Sequence, residues 1–189
     1  MIETGVIHGR FQLLHNDHLK YLLAGKSRCK HLIVGITNPD PTHTKDDSAD
    51  SHRSAPEANP FTYWERYQMV RDALLEAGIG WDEFSIVPLP INFPELFQYY
   101  VPLDATFFLT IYDQWGERKL EMFQKLGLTV EVLWRKTSGG KGLSASEIRR
   151  DIAEGRPWQQ WVPPSVVCFV EKHRVAARLA KIAQKNQDA

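Results

Sequence analysis

The amino-acid sequence predicts an α/β fold, a doubly wound, mostly parallel sheet of five or six strands followed by carboxyl-terminal helices. Three observations carry this expectation. Short apolar runs alternate along the chain with segments of helical period. The apolar runs lack the strict alternation of half-exposed strands, as expected where helices cover both faces of a sheet. The first run passes into the first helix through Gly9-Arg10, at the edge where doubly wound sheets receive ligands.

Strands are expected over residues 4–8, 31–37, 84–89, 105–110 and 129–134, with helices over 16–28, 62–78, 93–100 and 114–126. The first strand centres on Gly5-Val6-Ile7. The first helix carries Leu19, Leu22 and Leu23 and meets Gly25 in a helix-ending position. Residues 38–60 are rich in Pro, Asp, Ser, Thr and His. A loop of that length is expected to be either a mobile functional segment or a plain surface insertion. Its His52-Arg53-Ser54 can reach a phosphate, which makes Arg53 a candidate acceptor contact.

Thr62-Tyr63-Trp64-Glu65 has the spacing of a capping box, so Glu65 and Arg66 read as structural. After the last strand, a basic loop leads to Leu143-Ser144-Ala145-Ser146-Glu147-Ile148-Arg149-Arg150, where Ser144 with Glu147 makes a second capping box. From Pro163 a further helix is expected, broken near His173, within a helical part that spans 144–185. The whole chain of 189 residues reads as a single domain.

Composition narrows the classes of function. Basic and acidic residues balance at 23 each, so no overall field recruits nucleic acid or an anionic membrane. Cys29 and Cys168 stand apart from each other and from any metal-ligand spacing, and both read as buried thiols. No leader pattern and no apolar run of membrane-spanning length is visible, so a soluble cytoplasmic protein is expected. A homo-oligomer is compatible with the sequence.

The candidate chemistry lies at two helix starts. His15 and His18 are spaced to share one face of the first turn of the first helix, beside Gly9 and Arg10. Free N–H groups and the positive end of the helix dipole favour an anion there, and a nucleoside triphosphate fits. Ser144, Ser146 and Arg149 at a second helix mouth can act as a phosphate clamp, although capping is the commoner use of such serines.

Gly9-Arg10-Phe11-Gln12-Leu13-Leu14-His15-Asn16-Asp17-His18 resembles the first signature of the HIGH-type nucleotidyltransferase superfamily, G-R-F-Q-P-x-H-x-G-H. Leu143, Ser144, Ser146 and Arg149 are similar to its second signature, I-S-x-T-x-x-R. Asn59-Pro60-Phe61-Thr62-x-x-Glu65-Arg66 matches the N-P-F-T-x-x-E-R of the archaeal-type nicotinamide-nucleotide adenylyltransferases. The resemblance implies transfer of AMP from ATP to nicotinamide mononucleotide, giving NAD and pyrophosphate with Mg²⁺.

It assigns His15, His18 and Arg149 to catalysis and Gly9, Arg10, Phe11, Gln12, Ser144 and Ser146 to the nucleotide. In place of the stacking tryptophan of those enzymes, Phe93, Phe97, Tyr99 or Tyr100 can serve the acceptor. Tyr112, in the segment that replaces their S-G-N-P, is a further candidate acceptor contact. The signature glycine is Asp17 here, a carboxylate that either turns away from the phosphates or helps to hold Mg²⁺. Other readings stay open: a cytidylyl- or adenylyltransferase for another phosphorylated small molecule, and a non-catalytic nucleotide sensor.

Overall fold

In the computed structural model, β1 (Ile2–Gly9), β2 (Cys29–Thr37), β3 (Phe84–Leu89), β4 (Thr106–Ile111) and β5 (Thr129–Arg135) form one sheet. All of its pairings are parallel, in the order β3–β2–β1–β4–β5. The helices are α1 (Asn16–Lys26), α2 (Tyr63–Glu76), α3 (Gln114–Lys125), α4 (Ala145–Ala153), α5 (Pro164–Lys172) and α6 (Val175–Gln187). Residues 1–43, 58–135 and 142–187 are described by the structure. The doubly wound parallel sheet expected from the sequence is therefore present, with five strands among the described residues.

Successive side chains of a strand point to opposite faces, and each face has its own core. Ile7, Leu32, Val34 and Phe108 pack with Leu22 of α1 and Val70 and Leu74 of α2, joined by Ile148, Val166 and Leu179 from α4, α5 and α6. Val6, Phe107 and Leu109 face the other way, onto Phe123 of α3 and onto Phe97, which precedes β4. The carboxyl-terminal helices thus thicken one layer only.

The strand order places the switch point between β1 and β4, where the chain begins to wind in the opposite direction. Pairing there is short. On β2, β1 stays in register out to Gly9 opposite Ile36, but on β4 only from Gly5 opposite Thr106 to Ile7 opposite Phe108. The Tyr21 hydroxyl donates to the Phe108 carbonyl at 2.9 Å and lies against the His8 backbone N–H, so a helix side chain wedges the two strands apart.

Local chemistry explains the helix ends. Thr62 caps α2 in the full box: its hydroxyl accepts from Glu65 N–H at 3.2 Å and the Glu65 carboxylate accepts from Thr62 N–H at 2.9 Å. At α4 only the serine half of the expected box forms, with Ser144 accepting from Glu147 N–H at 3.5 Å. The break near His173 is real: α5 ends there and Arg174 takes a left-handed φ of 51° before α6 begins.

Two expectations are corrected. Residues 93–100 do not make an α-helix; Pro94–Tyr99 wind as tight 3₁₀ turns, with Leu96 N–H on Phe93 O and Tyr100 N–H on Phe97 O. Prolines 90, 94 and 102 hem the segment in and leave no room for longer helical propagation. Cys29 is buried as expected, but Cys168 is exposed, because its position on α5 points away from the stripe formed by Val166, Phe169 and Val170.

Candidate active site

The turn between β1 and α1 is built around aromatic packing. Phe11 has a left-handed φ of 51°, which folds its ring back over Gly9. A Cβ on Gly9 would lie 2.7 Å from the Phe11 ring, so only glycine fits there. The resemblance gives Gly9 to the nucleotide; within the protein itself the Phe11 ring is what a side chain at this position would meet. That ring is fully buried and meets His18 edge-on, with centroids 5.2 Å apart, so it supports a histidine instead of facing a ligand. Gln12 is likewise internal. Its amide donates to Phe61 O at 3.0 Å and accepts from Phe61 N–H at 2.9 Å, fastening the turn to the approach of α2.

His15 is the N-cap of α1. Its Nδ1 accepts from His18 N–H at 3.4 Å, which leaves the proton of a neutral ring on Nε2. The two imidazoles stack with centroids 3.6 Å apart. Burial lowers the His15 pKa from its ordinary 6.5 to about 4, partly opposed by the Asp17 charge. Burial, with His15 alongside, holds His18 well below the ordinary value too. His18 Nδ1 is buried and makes no hydrogen bond in the structure. Both rings are neutral at physiological pH; His15 has its Nε2–H to donate, and the His18 ring engages the Leu13 backbone.

Arg149 closes the site from α4. It donates to the Gln12 carbonyl and, at 3.3 Å, to Ser146 Oγ. Burial and the neighbouring Arg10 charge lower its pKa to about 10, which leaves it charged. Arg10 also depresses His18 and Arg66, which places its charge among all three groups. Ser144, while capping α4, keeps its hydroxyl proton for a second partner. Two helix N-termini, two histidines and a group of arginines thus converge, an arrangement that attracts and orients polyphosphate.

Asp17 turns toward α4: its Oδ2 accepts from Leu143 N–H at 2.8 Å. Among the described residues no group of three or more His, Cys, Asp or Glu is placed to hold a metal. A triphosphate can carry Mg²⁺ on its own oxygens and waters without such a group.

The other expected contacts separate. Phe97 is corrected: it is 1% exposed and packs edge-on against Phe123, so it belongs to the core and cannot touch an acceptor. Tyr112 is exposed at the carboxyl end of β4, where its hydroxyl accepts from Trp134 Nε1 at 2.8 Å. Arg53 lies outside the described residues. Sequence reasoning passed over Tyr21, the wedge at the switch point, and His8, which is 5% exposed with both ring nitrogens unpaired. His8 had left a signal, as a polar residue next to Gly9 in an otherwise apolar strand.

These buried neutral rings make stability depend on acidity. The folded-state pKa values of His8, His15 and His18 lie below the unfolded value. Their contribution is therefore complete above roughly pH 6.5 and is lost as pH falls below it, toward about 4 for His15, by up to ~1.4 kcal/mol per pH unit for each ring. Thermal unfolding followed between about pH 7 and 5 should show a falling midpoint; a flat one would contradict the burial of these rings as neutral groups.

Comparison with known proteins agrees with this geometry. A family profile described as cytidylyltransferase-like matches residues 6–151. Phosphonoformate cytidylyltransferase of Streptomyces viridochromogenes is 52% identical over 176 residues, covering 93% of this chain and 95% of that protein. Nicotinamide-nucleotide adenylyltransferase of Thermococcus kodakarensis is 32% identical over 186 residues, covering 97% and 90%. Among solved structures, a bifunctional NMN adenylyltransferase/ADP ribose pyrophosphatase from Francisella tularensis superposes with a TM-score of 0.69 at 19% identity. The chain covers 54% of that structure, about half its length, and the likeness is one of fold.

Proposed function

The chain belongs to the cytidylyltransferase-like family of nucleotidyltransferases, and from that premise we propose that it transfers CMP from CTP to a small phosphonate or phosphate acceptor, phosphonoformate foremost. The observation that carries this reading is the 52% identity, over 93% of the chain, to a phosphonoformate cytidylyltransferase. The burial of Phe97 fits a compact acceptor, since it removes one aromatic platform on which a nicotinamide ring could stack.

In the proposed reaction an acceptor oxygen attacks the α-phosphorus of CTP in line. The new O–P bond forms as the bond to the bridging oxygen breaks, and that electron pair leaves with pyrophosphate. An ionised phosphonate or phosphate oxygen is the nucleophile, so the protein's work is positioning and charge stabilisation. His15 Nε2–H and, turned from the Leu13 backbone, the N–H of His18 donate to oxygens of the reacting phosphates as charge migrates toward the leaving group. The Arg149 guanidinium, held by Gln12 O and Ser146 Oγ, and the Ser144 hydroxyl grip the outer phosphates. Arg10 adds positive charge on the β1 side. Mg²⁺ would arrive with the triphosphate and neutralise part of its charge.

A second reading is transfer of AMP from ATP to nicotinamide mononucleotide, favoured by the 32% identity, over 97% of the chain, to the Thermococcus enzyme. Placed first by the sequence motifs, it becomes second because the other relative is more similar over nearly the same span. Pyrophosphate release with CTP or ATP, crossed with phosphonoformate or nicotinamide mononucleotide, separates the two. Release confined to CTP with phosphonoformate is expected. Release confined to ATP with nicotinamide mononucleotide overturns the first reading, and none in any combination would favour a sensor.

A further inference from the structure

We propose that Asp17 is a positioning residue, a latch that holds the phosphate clamp of α4 against the histidine turn so that both halves of the triphosphate site are in register before substrate binds. The HIGH-type signature has glycine where this chain has Asp17, so the signature itself assigns the position no such role. The role rests on a bond across 126 positions of sequence. Asp17 Oδ2 accepts from the N–H of Leu143 at 2.8 Å.

Leu143 immediately precedes Ser144, the N-cap of α4, so the bond grips the helix at its mouth. About a turn and a half along the same helix, Arg149 donates to the carbonyl of Gln12. α4 is thus tied to residues 12–17 at two points, one at each end of the stretch that carries Ser144 and Ser146. A helix pinned at one point can pivot about it. Pinned at two, it cannot swing the clamp away from His15 and His18.

The same geometry accounts for a carboxylate beside a polyphosphate site. Asp17 lies in the first turn of α1, where the helix dipole favours negative charge, and a backbone N–H occupies one of its oxygens. Its acceptor function and its charge therefore have opposite consequences. The bond assembles the clamp, while the charge repels the incoming phosphates. Separating them by substitution gives the test.

Asp17→Asn keeps an oxygen that can accept from Leu143 and removes the charge; Asp17→Ala removes both. In the alanine variant KM for the nucleoside triphosphate should rise by about 10-fold or more, the scale of losing one hydrogen bond to a charged group. The asparagine variant should return KM to the wild-type value or below, with kcat within about 2-fold of it. Amide hydrogen exchange of Leu143, measured without substrate, should be slow in the wild type and in Asp17→Asn and at least about 10-fold faster in Asp17→Ala.

The kinetic arm rests on the proposed nucleotidyl transfer and uses whichever donor and acceptor pair the wild type turns over. The exchange arm needs no substrate, so it stands even if the acceptor assignment fails. Unchanged Leu143 exchange in Asp17→Ala overturns the latch. So do asparagine and alanine variants with equal KM, since Asp17 would then be a spectator or act through charge alone.

Discussion

Replacing His18 by alanine lowers turnover by about 100-fold or more while leaving the fold intact. That is the scale of removing one hydrogen-bond donor that stabilises charge in the transition state. His18 is the sharper probe of the pair. His15 caps α1 through Nδ1, so its loss combines a catalytic effect with about 1 kcal/mol of helix stability. His18 caps no helix: its ring stacks on His15, rests edge-on against Phe11 and hydrogen-bonds to the Leu13 backbone, while its buried Nδ1 makes no hydrogen bond.

Because leaving-group charge develops only as the bond to pyrophosphate breaks, the loss should fall on kcat more than on KM for the nucleotide. Steady-state kinetics of pyrophosphate release, with circular dichroism to verify the fold, measures both. A folded His18→Ala protein with wild-type kcat would remove the histidine pair from the mechanism.

Replacing Arg66 by methionine should cost about 3–5 kcal/mol of stability, the largest loss expected from any single polar side chain here. The Arg66 side chain is almost wholly buried and stays charged, with its pKa lowered by burial and by Arg10 to about 10. It donates to Thr37 O at 2.7 Å, Asn38 O at 2.8 Å, Arg10 O at 3.0 Å and Thr62 O at 3.2 Å. One guanidinium therefore ties together the end of β2, the turn after β1 and the start of α2. Methionine fills similar volume but leaves those carbonyls facing an apolar group.

For a chain of 189 residues the thermal midpoint should fall by roughly 10 °C. Lysine should rescue little, because an ammonium cannot match a planar fork of donors aimed at several carbonyls. Calorimetric unfolding of the two variants decides the matter; a midpoint within about 2 °C of wild type would mean that water replaces the guanidinium at low cost.

Both predictions rest on groups visible in the sequence, but their surroundings were legible to different degrees. The His15 and His18 spacing, next to a strand end and a helix start, predicts that the two rings share one face of the first helical turn, and the structure stacks them at the N-terminus of α1. Arg66 was recognised as structural, but nothing in its neighbours reveals that its partners are Thr37, Asn38 and Arg10, between 28 and 56 positions away. The aromatics show the same limit. Phe97 and Tyr112 were equal candidates for the acceptor, and the structure sends the first into the core and leaves the second at the rim.

The sequence by itself determined what depends on nearest neighbours along the chain. Strand and helix periodicity, the Thr62–Glu65 box and the helix break near His173 are all set by groups within four residues of one another. The tertiary structure decided what depends on which surfaces meet. It folded Phe11 onto Gly9, drove the Tyr21 hydroxyl between β1 and β4, and brought Asp17 to the N–H of Leu143. Those contacts arise from packing two faces of one sheet, and no local pattern encodes which distant backbone group a buried side chain will find.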